Sequence, residues 1–193
     1  MIALTTRSQW LVGLLLVSLL TVTRGHHFAS LSHLPGASWS VFFLAGIYLR
    51  SWRVLLLLIT LAGMLDYVAI TYEGVSNFCV SPGYVMLLPA YTSLWLAGYW
   101  YAKYYRFEIR TLLTLTIAVL AGASLCELFS SGGFYVFSGH FEETTLAEFG
   151  VRLAKYFPNY LQSMAFYVSI AAVVHWIFML VSDSTKQHSR TMG

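Results

Sequence analysis

The chain has 193 residues, of which 58% are hydrophobic and only 10% charged, with a formal net charge of +3. Charged residues make up about 25% of an ordinary soluble domain, whose surface has to be far more polar than this composition allows. The composition therefore excludes a soluble fold and predicts an all-α integral membrane protein that forms a single transmembrane domain over residues 1–193.

Six segments are apolar enough to be membrane-spanning helices, which need roughly 20 mostly apolar residues. The first follows Arg7 and ends in "TRGHH" without a small-x-small cleavage site, so it is interpreted as an uncleaved span rather than a signal peptide. The second segment, after "LPG", is short. The predicted spans are about Ser8–Thr23, Ala37–Leu49, Val54–Tyr72, Tyr84–Tyr101, Arg110–Phe129 and Tyr160–Val181.

The distribution of Lys and Arg predicts the orientation of these spans, because cytoplasmic loops carry an excess of basic residues. With both termini inside, only Arg24, Arg152 and Lys155 fall on the outer side. The inner segments then hold the other eight basic residues, which are Arg7, Arg50, Arg53, Lys103, Arg106, Arg110, Lys186 and Arg190. Six transmembrane helices in an N-in/C-in arrangement fit this pattern.

A short amphipathic helix is predicted at about residues 144–157, before the last span. Thr145 and Glu148 form a capping-box pattern at its start, and Pro158 is expected to end it. Its apolar residues share one helical face and are Leu146, Phe149, Leu153 and Phe157. This segment is expected to lie over the outer surface. Its Arg152 is either a solvated charge, paired with Glu148 four residues earlier, or part of a site.

Two carboxylates fall inside predicted spans. Asp66 lies in the third span, and Glu127 lies beside Cys126 near the outer end of the fifth, with Ser131 on its helical face. An ionisable residue in a span is costly and usually faces a cavity or pairs with another side chain. Each carboxylate is therefore either a site residue or a helix-packing residue paired inside the bundle.

The loop between the third and fourth spans, "SNFCVSPGYVM", places a single thiol on the outer side. Pro82 and Gly83 favour a tight turn, so this loop is expected to be shaped. The thiolate of Cys79 is a soft metal ligand and a nucleophile. The alternatives are an inert structural cysteine and a disulfide with Cys126. Tyr84 begins the fourth span and Tyr91 lies further in, each as an interface aromatic or a pocket residue.

Several functions are excluded or remain as alternatives. The chain has no Walker motif, HExxH or GxSxG, so it cannot drive transport by its own ATP hydrolysis, and its inner basic residues are explained by topology rather than by nucleic acid binding. One alternative is a small transition-metal-ion permease that uses Cys79 and the outer histidines His26, His27, His33 and His140. Another is a membrane thiol enzyme that uses Cys79 and Cys126.

Taken together, the six spans, the loop "NFCVSPGY", the aspartate in "GMLDY" and the outer segment "EFGVRLAKYF" resemble the BtuM family. These proteins are cobalamin-specific S-components related to energy-coupling-factor (ECF) ABC transporters. The resemblance in layout covers essentially the whole chain. It implies an S-component-type fold in the bacterial cytoplasmic membrane and a function in the uptake of cobalamin (vitamin B12) or related corrinoids.

The resemblance also implies a site. Cys79 would be the axial ligand of the cobalt in cobalamin, and Asp66, Tyr84 and Arg152 would line an outward-facing pocket. Because a thiolate donates electrons strongly to cobalt(III), Cys79 is further expected to promote loss of cyanide from cyanocobalamin. The implied partners are cobalamin, the lipid bilayer and an ECF-type energising module made of a transmembrane coupling subunit and ATPases.

Overall fold

The computed structural model describes residues 5–24, 34–72, 81–142 and 144–191, with side chains described as far as residue 181. Throughout these residues the regular secondary structure is helical. The α-helices are α1 (Thr6–Arg24), α2 (Ser38–Tyr48), α3 (Trp52–Tyr72), α4 (Leu87–Tyr104), α5 (Arg110–Phe137) and α6 (Leu146–Thr191). A 3₁₀-helix, Pro82–Met86, leads directly into α4.

Four of these helices are long and apolar enough to cross a membrane: α1, α3, α5 and the part of α6 from Leu146 to Val181. Each also exposes large apolar side chains, as a lipid-facing surface requires. Examples are Leu14 on α1, Leu57 on α3, Leu113 on α5 and Val174 on α6. The all-α membrane-type architecture is thus confirmed, while the count of six spans and the N-in/C-in orientation stay predictions.

Helix α2 is too short to cross a bilayer when straight, since its 11 residues rise only about 16 Å against an apolar core of about 30 Å. It is instead surrounded by protein. Every residue from Trp39 to Ile47 is buried, and the helix contacts α1, α3, α4 and α6. A helix that is apolar on all sides is expected to form the centre of a bundle.

Two glycines allow α2 and α4 to cross at very short range. A Cβ atom at Gly46 would overlap the backbone carbonyl of Trp95, and a Cβ at Gly98 would overlap the carbonyl of Phe43. The two helices therefore contact each other through their backbones. Close approach of this kind is how helices gain dispersion contacts in a membrane, where lipid tails remove the hydrophobic driving force.

The expectation that Pro158 ends the amphipathic helix is wrong. Helix α6 runs without a break from Leu146 to Thr191, with Pro158 inside it. Proline removes one helical hydrogen bond, but spanning helices tolerate this loss because neighbouring groups can satisfy the freed carbonyl. The predicted outer helix and the predicted sixth span are consequently one 46-residue helix.

The predicted cap of this helix is half confirmed. The backbone N–H of Glu148 donates to Oγ1 of Thr145 at 3.3 Å, as a capping box requires. The Glu148 carboxylate does not close the box, because it accepts a hydrogen bond from the hydroxyl of Tyr135 on α5 at 3.0 Å. Tyr135 also accepts the backbone N–H of Thr145 at 3.0 Å, so that the start of α6 is anchored to α5.

The contact between α2 and α4 generates a stability prediction. Gly98→Ala should lower the free energy of unfolding by about 1–3 kcal/mol, because the added methyl group forces the two backbones apart. Gly63→Ala is the matched control, since a Cβ at Gly63 meets nothing within 4 Å and alanine is the better helix former. Thermal unfolding of both variants in detergent should show a fall in Tm for Gly98→Ala alone. Equal Tm values would contradict the close crossing.

Candidate functional site

A partly buried ion pair joins the carboxyl end of α1 to α3. The guanidinium of Arg24 donates from Nε to Oδ1 of Asp66 at 2.7 Å and from Nη2 to Oδ2 at 2.8 Å. The arrangement is bidentate, which is the strongest geometry for an arginine–carboxylate pair. The side chains are 11% and 26% exposed, so Asp66 is the partner more accessible from outside.

Further polar side chains extend this pair into a network. Nη1 of Arg24 donates to Oγ of Ser38 at 3.0 Å and to the hydroxyl of Tyr91 at 2.9 Å. The hydroxyl of Tyr84 donates to Oδ2 of Asp66 at 2.6 Å. We call these five residues the Arg24 network. It connects α1, α2, α3, the 3₁₀-helix and α4 at one end of the bundle.

Local structure explains how these residues reach each other. Arg24 is the last residue of α1, where a cation interacts favourably with the helix dipole. One residue earlier, Oγ1 of Thr23 accepts the backbone N–H of Ala37 at 3.2 Å, which holds the start of α2 against the end of α1. On the other side, Pro82 opens the 3₁₀-helix that carries Tyr84. A Cβ at Gly83 would lie 2.7 Å from the carbonyl oxygen of Gly133, so only glycine allows the 3₁₀-helix to pack this closely against α5.

Tyr91 is an internal residue of the bundle and not an interface aromatic. Its side chain is 6% exposed, and its ring stacks on Phe42 with centroids 4.1 Å apart and an interplanar angle of 7°. The Arg24 guanidinium carbon lies 5.6 Å from the same ring. Tyr91 thus supports Arg24 with both its hydroxyl and its π-face.

The structure brings together two of the predicted site residues, Asp66 and Tyr84. The helix-packing alternative for Asp66 is also realised, because the carboxylate pairs with Arg24 inside the bundle. Sequence reasoning missed Arg24 and counted it only as an outer basic residue. The available signal was a lone arginine at the end of one apolar span and a lone carboxylate inside another, each of which requires a partner.

Arg152 lies in a different environment. Its guanidinium carbon is 4.6 Å from the ring centroid of Phe141, 5.9 Å from that of Tyr135 and 5.8 Å from that of Tyr156. The expected ion pair with Glu148 is wrong, since the carboxylate of Glu148 bonds Tyr135 and the arginine lies over aromatic rings instead. Its predicted role in a pocket with Asp66 stays a prediction.

Cys79, the predicted cobalt ligand, lies outside the described residues, as do His26, His27 and His33. The described chain stops at Tyr72, at the end of α3, and resumes at Ser81, just before the 3₁₀-helix. Asp66 and Tyr84, which meet in the Arg24 network, therefore flank the Cys79 segment on either side in the sequence.

Cys126 is completely buried and forms no disulfide with another described residue. Cys79, the partner considered for it, lies outside the described residues, so that disulfide stays a hypothesis. The neighbouring Glu127 is only 1% exposed. Its Oε1 accepts the Ser131 hydroxyl at 2.6 Å, which confirms that Ser131 is its helical partner, while Oε2 has no hydrogen-bond partner in the described structure.

Comparisons with known proteins leave the family open. No protein-family model matches the chain, and no curated protein is similar enough to be matched with it. Within the residues that the structure describes, no group of three or more His, Cys, Asp or Glu side chains is placed to hold a metal ion. His140 is exposed and its ring lies 5.7 Å from that of Phe134.

The Arg24 network is suited to a polar, uncharged group rather than to a bare cation. Arg24 neutralises Asp66, so the net charge of the pair is close to zero. The carboxylate oxygens retain acceptor capacity, and the Tyr84 hydroxyl retains a lone pair. The N–H groups of an amide can donate to these acceptors.

The Arg24–Asp66 pair generates the second prediction. Arg24→Ala or Asp66→Ala should each destabilise the protein by about 1–3 kcal/mol, because the remaining charged group loses its counter-ion in a largely buried place. The double variant should lose much less than the sum of the two. Arg24→Lys should fall in between, since an ammonium keeps the charge and loses the bidentate geometry. Unfolding free energies in detergent provide the double-mutant cycle, and additive losses would contradict the coupling.

Proposed function

We propose that this protein is the substrate-binding membrane component of an uptake system for cobalamin or related corrinoids, with an S-component-type fold of six spans, N-in and C-in, in a bacterial cytoplasmic membrane. The observation that carries the proposal is the Arg24 network. It gathers Asp66 and Tyr84 at one end of an apolar bundle, and these two residues flank the Cys79 segment in the sequence.

The chemistry of a corrinoid fits this network. A corrin is a wide amphipathic disc whose rim carries amide groups. The N–H groups of those amides need acceptors, which the carboxylate of Asp66 and the remaining lone pair of Tyr84 supply. The amides carry no charge that the neutralised ion pair would have to balance. The surrounding apolar bundle suits the faces of the disc. Arg152 is proposed to contact the rim from α6, where the aromatic rings of Phe141, Tyr135 and Tyr156 restrict its position.

Cys79 is proposed to supply the axial ligand of the cobalt. A thiolate is a soft, strongly donating ligand. Bound to one face of cobalt(III), it weakens the bond between cobalt and cyanide on the opposite face. Cyanide then leaves with its bonding electron pair, and the oxidation state of cobalt does not change. In this proposal the protein is primarily a transporter and Cys79 is also the catalytic residue of decyanation.

Energy for transport has to come from elsewhere, because the sequence contains no Walker motif. The proposed partner is an ECF-type module that consists of a transmembrane coupling subunit and ATPases. Passive reorientation of the loaded protein in the membrane is the alternative route.

The role of Cys79 has a direct spectroscopic test. Purified protein should bind cyanocobalamin, show a corrin chromophore and lose the cyano-form visible spectrum over time. Cys79→Ala should shift the cobalt bands and leave cyanide bound. Cys126→Ala is the matched control, because that thiol is buried in α5 and should leave both the bands and the decyanation unchanged. A wild-type spectrum from Cys79→Ala would refute ligation even if the corrinoid binds.

The role of the network is tested separately. Tyr84→Phe removes the hydroxyl that holds Asp66 and should weaken corrinoid binding about 5–10-fold, the equivalent of one hydrogen bond. Tyr99→Phe is the control, because Tyr99 lies on α4, is exposed and takes no part in the network. Titration of each variant with cyanocobalamin, followed in the visible range, measures the affinities. Equal Kd values for both variants and the wild type would place the site elsewhere.

A further inference from the structure

A second site is present at the other end of α2 and α4. A cavity of about 440 Å³ lies between the carboxyl ends of these helices, the connection to α5, the first turns of α5 and the middle of α6. None of its lining residues belongs to the Arg24 network. Its volume is within the range of about 300–1,000 Å³ that is typical of small-molecule sites, and a complete corrinoid is much larger than such ligands.

The walls of this cavity are mainly apolar. They are formed by aliphatic side chains of α2, α5 and α6, among them Leu44, Ile47, Leu112, Leu115 and Val168. Burying a hydrocarbon chain in such a space is favourable, because apolar surface of the chain and of the walls is removed from water. The apolar lining therefore favours an aliphatic ligand over a polar one.

A cluster of aromatic hydroxyls and one histidine forms the polar part of the lining. Nε2 of His175 lies 3.1 Å from the hydroxyl of Tyr105, and the ring of Tyr48 lies 5.8 Å from that of His175. Tyr101 lies beside Tyr105 with ring centroids 5.9 Å apart. The hydrogen bond with Tyr105 holds the His175 ring in place within the lining. The hydroxyls provide donors at a depth where an ester carbonyl would need them.

Two opposite charges complete the rim. Arg106 and Glu108 both line the cavity from the short connection between α4 and α5, and both are exposed. Within the described structure they form no ion pair with each other. The connection is nonetheless held in place, because the hydroxyl of Thr111 donates to the Arg106 carbonyl at 2.6 Å and its N–H donates to the Glu108 carbonyl at 3.0 Å. One cation and one anion are thus presented on a fixed backbone.

The surroundings of the rim are typical of a membrane–water boundary. Trp100 and Tyr104 are exposed at the end of α4, and Lys103 lies 5.9 Å from the ring of Tyr104. Aromatic and basic residues of this kind concentrate where a bilayer meets water. The cavity therefore extends from the boundary into the apolar part of the bundle, which is the path of a lipid chain.

We propose that this cavity binds one phospholipid with a zwitterionic headgroup and a primary ammonium, as in phosphatidylethanolamine. An acyl chain occupies the apolar cavity, Arg106 binds the phosphate, and Glu108 accepts hydrogen bonds from the ammonium. A purely anionic headgroup brings negative charge towards Glu108, and a quaternary ammonium has no N–H to donate. The site is independent of the proposed corrinoid binding.

Native mass spectrometry of the detergent-solubilised protein tests this assignment. The protein is titrated with phosphatidylethanolamine, phosphatidylglycerol and phosphatidylcholine of identical acyl chains. Phosphatidylethanolamine should bind about 5-fold more tightly than either other lipid, the effect of one well-placed charge at a membrane surface. Glu108→Gln should abolish its advantage over phosphatidylglycerol, and Arg106→Gln should weaken all three lipids. Both substitutions are at exposed positions and should leave Tm unchanged.

A matched pair of variants tests whether an acyl chain occupies the cavity. Ala172→Phe fills the cavity and should reduce lipid retention about 5-fold or more, because it prevents the burial of acyl-chain methylene groups. Ala165→Phe places the same side chain on an exposed position of the same helix, outside the lining, and should retain lipid like the wild type.

Three results would overturn the proposal. The first is an unchanged lipid preference in Glu108→Gln. The second is full retention of lipid in Ala172→Phe. The third is displacement of the lipid by glycerophosphoethanolamine, the headgroup without chains, at equal concentration, because this result would mean that the site binds a soluble phosphate ester and not a lipid.

Discussion

The bundle depends on one ion pair. Arg24 and Asp66 are both costly in an apolar environment, and each is tolerated because it satisfies the other. Their bidentate contact joins α1 to α3, two helices whose chain connection runs through α2. The hydroxyls of Ser38, Tyr84 and Tyr91 then attach α2, the 3₁₀-helix and α4 to the same pair. The same contacts therefore neutralise the charges inside the bundle and fix the relative positions of five helical segments.

The long apolar segments predicted most helices well, because a long hydrophobic run between polar loops has few alternatives to a membrane-spanning helix. The predicted third span, Val54–Tyr72, lies within α3, and the fifth begins with α5 at Arg110. The failure at Pro158 is physical in origin, because proline breaks helices in water and is tolerated between neighbouring helices. Pairing was harder to predict. That Asp66 needs a partner follows from the sequence, but the choice of Arg24 depends on where the ends of α1 and α3 meet.

In the middle of the bundle, the packing of the helices is determined by small residues rather than by charged ones. Helix α2 is short and mainly apolar, and Gly46 and Gly98 let it lie directly on the backbone of α4. The two ends of this pair differ in chemistry. One end carries the Arg24 network, and the other carries the cavity of about 440 Å³ with its tyrosine hydroxyls. Because the backbones of α2 and α4 are in contact, these two helices hold the Arg24 network and the cavity at a fixed separation.

Helix α6 has a mechanical consequence. Its 46 residues span about 69 Å, whereas a bilayer with its headgroups is about 40–45 Å thick. The helix must therefore tilt steeply or project beyond the membrane. Its first turn is anchored to α5 through Tyr135, and its middle forms a wall of the cavity through His175. Both contacts belong to one helix, so the angle of α6 to the membrane fixes the depth of both contacts together. Pro158, which lies between them, lacks a backbone N–H and removes one helical hydrogen bond.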